Sequence, residues 1–216
     1  MASGVLLFFT LIFFGPPANA GEIAVKVFDA KNNPLRGSVI YATPAGGKTP
    51  AVEKGKMAMM DQINKEFIPI IMAVQTGTAV SFPNKDNIRH HVYSISPAKK
   101  FELPLYIGSP DNSMVFDKPG IVALGCNIHD WMLAYIIVVD TPYFAVTGED
   151  GRGKIKDIPN GNYKLAAWHY RMKGDPEAMA VDAQVSQDGA EKTFALNLKP
   201  EFKIQRAPSI SGRSYR

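Results

Sequence analysis

Short segments in which apolar residues recur at every second position alternate with turn-forming residues over most of the chain. In residues 22–28, Ile23, Val25 and Val27 follow this period of two, which predicts a half-buried strand. No window shows a sustained helical period with end signals. Strands at this spacing, with turns between them, predict an all-β sandwich or barrel. The predicted strands are 22–28, 38–41, 67–74, 78–82, 92–96, 113–116, 120–124, 131–140 (which contains the apolar run AYIIVV), 144–147, 154–158, 163–168, 181–185 and 192–198.

The N-terminal segment carries an export signal. Residues 5–14 form an apolar run of ten, followed by Ala18-Asn19-Ala20. A membrane span needs about 20 apolar residues, so the pattern predicts a secretory signal, residues 1–20, cleaved after Ala20. We therefore expect a periplasmic protein without a membrane span after cleavage. No Lys or Arg precedes the run, so an uncleaved interfacial anchor stays open as the alternative.

Composition and charge narrow the class of protein. The 216 residues are 46% apolar and 20% charged, which excludes disorder over the whole chain. The net charge of +4 favours partners with acidic surfaces, and without an aromatic and basic stripe the sequence does not predict nucleic-acid binding. Residues 201–216 are expected to form a flexible basic tail. The single cysteine excludes an intrachain disulfide and a four-cysteine zinc site.

The residues with metal-binding chemistry lie in the middle of the chain. The string Cys126-x-x-His129-x-x-Met132 occupies a short loop between two predicted strands, and His90 and His91 begin another strand. A thiolate, two imidazoles and a thioether are the ligands of trigonal copper with a weak axial methionine. Zinc is the main rival, although a thioether is a poor zinc ligand. Adjacent strand residues face opposite ways, so we expect either His90 or His91 to bind.

These residues carry a resemblance to a known family. The segment from about residue 57 to 140 resembles the cupredoxins, the blue-copper proteins of the plastocyanin and amicyanin type. Phe82 matches the aromatic residue that this family has eight positions before its first histidine ligand, and His91 replaces a usual asparagine. The resemblance implies a Greek-key sandwich over residues 55–140. His91 is either a rival of His90 as the metal ligand or a residue that supports the ligands. The implied ligands of one type 1 copper ion are His90, Cys126, His129 and axial Met132.

Two further resemblances concern the rest of the chain. The strings FELPLYIGSP, FDKPGIVALGCNIHDWM and VVDTPYFAVT resemble exported methylamine-utilisation proteins, which implies an association with amine oxidation. Residues 25–39, together with residues 147–163, resemble a carboxypeptidase regulatory-like (transthyretin-like) domain. We therefore expect residues 21–50 plus 141–200 to form an immunoglobulin-like sandwich into which the cupredoxin is inserted. The insertion is favoured because the N-terminal hairpin of residues 21–50 would be marginally stable in water by itself. The alternative is two domains in series, with the cupredoxin preceding the other sandwich.

Three functions follow from these expectations. The first is a copper protein that carries single electrons between redox partner proteins, and not an enzyme, because the segment offers no substrate-activating acid, base or open coordination position. The second is a copper chaperone or buffer, favoured by His91 and by the methionines at 57, 59 and 60, which otherwise fill a core. The third is a binding module with a structural metal site. His169 is predicted to be a surface or edge residue.

Overall fold

A computed structural model describes residues 20–46, 48–110 and 112–201. Within these ranges the chain forms strands and one 3-10 turn, Glu177–Met179, so the prediction of an all-β sandwich protein is confirmed. None of the described helical segments is long and apolar enough to cross a membrane. The strands are β1 Ala20–Asp29, β2 Val39–Pro44, β3 Met57–Met59, β4 Asp61–Ile63, β5 Glu66–Ile68, β6 Ile71–Gln75, β7 Thr78–Ser81, β8 His90–Ser96, β9 Lys99–Tyr106, β10 Met114–Phe116, β11 Gly120–Gly125, β12 Leu133–Val139, β13 Phe144–Val146, β14 Arg152–Pro159, β15 Gly161–Trp168, β16 Val181–Val185 and β17 Ala190–Leu196.

The predicted signal and the predicted tail have one described residue each, Ala20 and Glu201. Residues 1–19 of the signal and residues 202–216 of the tail lie outside the described residues. Ala20, after which cleavage is predicted, is the first residue of β1 and pairs with Pro159 of β14.

The central lobe comprises strands β3 to β12. Its two main sheets have the strand orders β10-β7-β3 and β6-β12-β11-β8-β9, and the short hairpin β4-β5 forms a sheet of its own. Alternate residues of these strands meet in one buried core, which includes Phe67, Phe82, Phe116, Val122 and Ile136. Cys126 and Met132 belong to the same core, so the predicted ligand loop is anchored in apolar surroundings.

The outer lobe is built from strands on both sides of the central lobe in sequence. Its sheets have the orders β14-β1-β17 and β13-β2-β15-β16. Strand β1 pairs antiparallel with β14 and parallel with β17, and β2 pairs with β13 and β15. Strands from the two ends of the chain therefore share one core, which includes Ile23, Ile40, Ile155, Leu165 and Phe194.

Strand β12 joins the two lobes. Ile137 and Val139 pack in the core of the outer lobe, whereas Ile136 and Val138 pack in the core of the central lobe. This division follows the two-residue period of a strand. A strand covered on both faces has a continuous apolar sequence, and this explains the run AYIIVV at residues 134–139.

Prolines lie at two irregularities of the strands. The predicted strand over residues 67–74 is split, since β5 ends at Ile68 and β6 begins at Ile71, on either side of Pro69. Strand β9 was not predicted; its pairing with β8 shifts register between His90 and Val92, where β9 holds one extra residue near Pro104. Proline has no backbone N–H group to donate to a neighbouring strand. The break between β5 and β6 and the register shift in β9 therefore both occur where a ladder hydrogen bond is missing.

The prediction that His169 lies at the surface is wrong. The residue is only 4% exposed, because the turn after β15 folds it inward and its ring packs against that of Tyr170 at 4.5 Å. Its Nδ1 atom accepts a hydrogen bond from the backbone N–H of Arg171 at 3.3 Å. Burial, with a smaller contribution from the charge of Arg171, lowers the pKa of His169 to about 4.

Candidate metal centre

Three of the predicted ligands lie together at one end of the central lobe. One ligand atom from each of His90, Cys126 and His129 lies within 4.8 Å of the others. His90 is the first residue of β8, Cys126 directly follows β11, and His129 lies in the loop between β11 and β12. His90 and Cys126 are buried and His129 is half-buried. The group therefore has an enclosed interior and one side closer to solvent.

Gly125 allows the strands that carry this group to approach each other. It pairs with Tyr93 of β8, and a Cβ atom at position 125 would lie 3.0 Å from the tyrosine ring. A larger residue would require the tyrosine ring to move by a few tenths of an ångström. The glycine before Cys126 therefore keeps the strand that carries His90 beside the strand that carries the thiol.

The loop that contains the predicted ligands Cys126, His129 and Met132 is held in a tight turn. The backbone N–H of Met132 donates to the carbonyl of His129 at 2.9 Å, and that of Leu133 donates to the carbonyl of Trp131 at 3.1 Å. The turn leaves Sγ of Cys126 and Nδ1 of His129 3.7 Å apart. With zinc-type bond lengths of about 2.3 Å to sulfur and about 2.0 Å to nitrogen, donors that share one ion at 120° lie about 3.7 Å apart. The two atoms are thus spaced to bind one ion together.

His90 has one ring nitrogen occupied and one free. Its Nε2 atom lies 2.7 Å from Oδ2 of Asp86, and its buried Nδ1 atom has no hydrogen-bond partner among the described residues. Burial raises the pKa of Asp86, but hydrogen bonds from His90 and from the backbone of Lys65 and Asn64 outweigh it and leave that pKa below its usual value. Asp86 is therefore an ionised acceptor that favours a proton on Nε2, and in the neutral imidazole this tautomer leaves on Nδ1 the lone pair that a metal needs.

The hairpin β4-β5 holds Asp86 in place. At its turn, the backbone N–H groups of Asn64 and Lys65 donate to the two carboxylate oxygens at 2.7 and 2.8 Å. Both residues have positive φ angles, 55° and 61°, which point successive N–H groups toward one acceptor. The backbone N–H of Asp86 donates in turn to Oδ1 of Asn84 at 3.0 Å. The carboxylate that orients His90 is itself fixed.

Asn84 and Tyr106 tie the His90 loop to the sheet. The Asn84 amide donates to the carbonyls of Ile88 and Tyr106, each at 2.8 Å. The Tyr106 hydroxyl donates to the carbonyl of Phe82 and accepts from Nε2 of Gln62 at 2.6 Å. Burial raises the pKa of Tyr106 to about 12; the Gln62 hydrogen bond lowers it, and the nearby Cys126 raises it further. Tyr106 therefore stays protonated and neutral beside the thiol.

His91 lies on the other face of the sheet from His90. Its Nε2 atom lies 2.8 Å from Oε1 of Glu102 on β9, and its ring packs near that of Tyr93. It is not among the three donors that converge. Because adjacent residues of a strand face opposite ways, β8 places His90, and not His91, beside Cys126.

Met132, predicted as an axial ligand, is 1% exposed and packs in the core that contains Cys126. Its role as a ligand stays a prediction.

The sequence reasoning missed Asp86, Asn84 and Tyr106. Asp86 stands four residues before His90, but it lies in a loop where this spacing carries no geometric meaning. Only the folded hairpin and sheet bring these residues to the site.

The donor set fits a soft or borderline metal ion. A thiolate with two imidazoles suits copper or zinc, whereas magnesium and calcium prefer oxygen ligands. The buried Nδ1 atoms of His90 and His91 both lack a hydrogen-bond partner among the described residues. Only His90 also converges with Cys126 and His129, so its free nitrogen is the one that fits a metal in this group.

No family model matches the chain, and no curated protein matches it. Several solved structures are similar over part of it. The Cu-containing nitrite reductase from Thermus scotoductus is 24% identical with a TM-score of 0.37, and the match covers 45% of this chain but only 25% of that enzyme. A purple cupredoxin from Nitrosopumilus maritimus is 21% identical with a TM-score of 0.34, over 39% of this chain and 99% of its own. The reduced state of an amicyanin mutant is 20% identical with a TM-score of 0.35, over 46% of this chain and 99% of its own. Each similarity therefore extends over less than half of the present chain.

Proposed function

We propose that the protein binds one type 1 copper ion and passes single electrons between redox partner proteins. The observation that carries this proposal is the convergence of the buried Cys126 thiol with Nδ1 of His129 at 3.7 Å and with the imidazole of His90, whose Nδ1 atom has no partner among the described residues. Met132 is proposed as the weak axial ligand. Copper in such a site supplies one-electron chemistry by alternating between its two common oxidation states.

The chain contributes rigidity and exclusion of water. Asp86 holds the His90 ring, and the hairpin backbone holds Asp86. Cys126 is 4% exposed, so water has little access to the sulfur. Ligands that cannot move between the two oxidation states lower the structural change that accompanies electron transfer. This arrangement suits a carrier that must react rapidly with partners and return unchanged.

The side of the site at His129 is proposed as the place of electron exchange. His129 is half-buried, and its ring packs against that of Trp131 at 5.2 Å. Ile128 in the same loop is 48% exposed, and Leu133, the first residue of β12, is 39% exposed. An apolar surface beside an accessible ligand suits brief contacts, and the net charge of +4 favours partners with an acidic surface.

Electron transfer is proposed in preference to catalysis because the carboxylate that contacts His90 is already occupied. Asp86 accepts hydrogen bonds from His90, Asn64 and Lys65 and is thus not free to act as an acid or base toward a substrate. Export to the periplasm is proposed from the signal pattern of residues 1–20, and a link to amine oxidation from the resemblance to methylamine-utilisation proteins.

Visible absorption of the purified protein tests this proposal. The copper-loaded protein should show an intense thiolate-to-copper charge-transfer band that bleaches on reduction, whereas the Cys126→Ser variant should lack it because a hydroxyl is a hard, weak donor. Ser113→Ala, away from the ligand loop, is a matched control that should keep the band. A protein that binds zinc in preference to copper, or a Cys126→Ser variant that stays coloured, would contradict the assignment.

A copper chaperone or buffer is the second candidate function. It is favoured by the exposure of Met57 and Met59, which places two thioether groups at the surface. A buffer would exchange copper readily with a competing chelator, whereas an electron carrier would retain it through repeated oxidation and reduction. The rate of copper loss to a chelator in each oxidation state therefore separates the two.

We also propose that the central lobe is inserted into the outer lobe, with residues 21–50 and 141–200 forming one sandwich around it. The pairing of β1 with β14 and β17, and of β2 with β15, supports this proposal. Thr141 helps to close the junction, since its hydroxyl donates to the carbonyl of Ala42 at 2.7 Å. The metal-binding lobe would then connect to the outer lobe at both of its ends.

A further inference from the structure

The methionines of β3 are divided between the surface and the core. Met60, directly after the strand, is fully buried, whereas Met57 and Met59 are 63% and 55% exposed. Met57 and Met59 stand two residues apart and therefore project from the same face of β3. Core filling explains Met60 but does not explain the other two. Two thioether groups thus lie side by side in solvent.

The surroundings leave both sulfur atoms accessible. Within the described ranges β3 is an edge strand that pairs with β7, where Met57 lies opposite Ala79 and Met59 opposite Ser81. These neighbours are too small to cover a methionine side chain. Residues two apart on a strand are separated by about 6.6 Å, and methionine has three rotatable side-chain bonds, so the two sulfur atoms are able to converge on one ion.

We propose that Met57 and Met59 form a second, surface site for a soft monovalent metal ion, Cu(I). Thioethers select Cu(I) over the hard divalent ions, which require oxygen donors. Lys56, adjacent to Met57, is exposed, and its positive charge disfavours a divalent ion more than a monovalent one. Only the choice of copper as the natural ion rests on the proposed function. The site would hold copper loosely at the surface, separate from the buried group.

Silver ion is a redox-inert probe of this site. Ag(I) is titrated into the reduced, copper-loaded protein, in which the buried site is filled, while the methionine ε-methyl resonances are followed by NMR. The resonances of Met57 and Met59 should shift, with one equivalent of Ag(I) bound per chain, while those of buried Met60 and Met132 stay in place. In the double variant Met57→Leu/Met59→Leu that equivalent should be lost. Leucine keeps the size and apolar character at two exposed positions, so folding is not at risk.

Met179→Leu, in the outer lobe, is the control and should bind Ag(I) as the natural sequence does. Unshifted Met57 and Met59 resonances, or equal Ag(I) binding by the double variant, would overturn the proposal. The two proposals fail separately. A protein without the visible copper band whose Met57 and Met59 resonances still respond to Ag(I) contradicts the electron-carrier function and leaves the surface site standing.

Discussion

Asp86 and Nε2 of His90 are joined by a hydrogen bond of 2.7 Å, and this bond determines which nitrogen of the ring is free for a metal. A carboxylate in this position also increases the basicity of the imidazole. Neither effect depends on Asp86 touching the ion. In the proposed site the residue would therefore position a ligand without being one.

Replacing Asp86 should weaken the metal site without removing a ligand. We expect Asp86→Ala to lower copper affinity by about 10- to 100-fold, the usual loss when the partner of a histidine ligand is removed. The reduction potential should rise, because a less basic imidazole stabilises Cu(II) less. Competition with a chelator and protein-film voltammetry measure the two effects. Asp117→Asn, an exposed partner of Lys99, is the control; affinity in Asp86→Ala equal to that of this control would refute the role of Asp86.

The two adjacent histidines should respond differently to removal. His90→Ala takes away one of the three converging donors, so we expect loss of stoichiometric copper binding and of the visible band. His91→Ala removes the contacts with Glu102 and with the Tyr93 ring on the other face of the sheet, and should keep both copper and the visible band. Metal analysis of the purified variants is the measurement. Equal loss of copper from both would show that His91 also takes part in binding.

Met132→Leu should retain copper and raise the reduction potential. Leucine has similar volume and suits the buried position, so folding should be preserved. Loss of a weak axial donor disfavours Cu(II) more than Cu(I), which shifts the potential upward. Voltammetry of the variant checks this expectation. An unchanged potential would mean that the thioether is not a ligand.

Burial of His169 should make the protein less stable in mild acid. The folded protein keeps this ring neutral down to about pH 4, whereas the unfolded chain takes up the proton near pH 6.5. Stability should therefore fall as the pH drops from 6.5 toward 4, by up to about 3 kcal/mol from this group. Denaturant unfolding across this range should show a weaker pH dependence for His169→Gln than for the natural sequence. Identical slopes would show that folding does not lower the pKa of His169.

Deleting residues 21–50 should unfold the outer lobe if the central lobe is an insertion. The deletion removes β1 and β2, which pair with strands on the far side of the central lobe in both outer sheets. Hydrogen exchange should then show loss of protection over residues 143–200. The central lobe should also lose some stability, because Ile137 and Val139 would become exposed. Undiminished protection of residues 143–200 would establish two domains in series.

The sequence alone was sufficient for the features that depend on neighbouring residues. The period of two and the turn residues predicted an all-β chain, and the spacing from Cys126 to His129 placed both donors in one short loop. Strand alternation separated His90 from His91. These features are local, since steric limits on the backbone act over a few residues.

The tertiary structure decided the features that depend on contacts between distant segments. Pairing among β8, β9 and β11 brings His90, and not His91, beside Cys126, and the hairpin β4-β5 supplies the N–H groups that hold Asp86. The burial of His169 and the exposure of Met57 and Met59 also follow from packing. Residue spacing contains no information about which sheet face a distant segment will cover. That outcome depends on how all the apolar faces are buried at once.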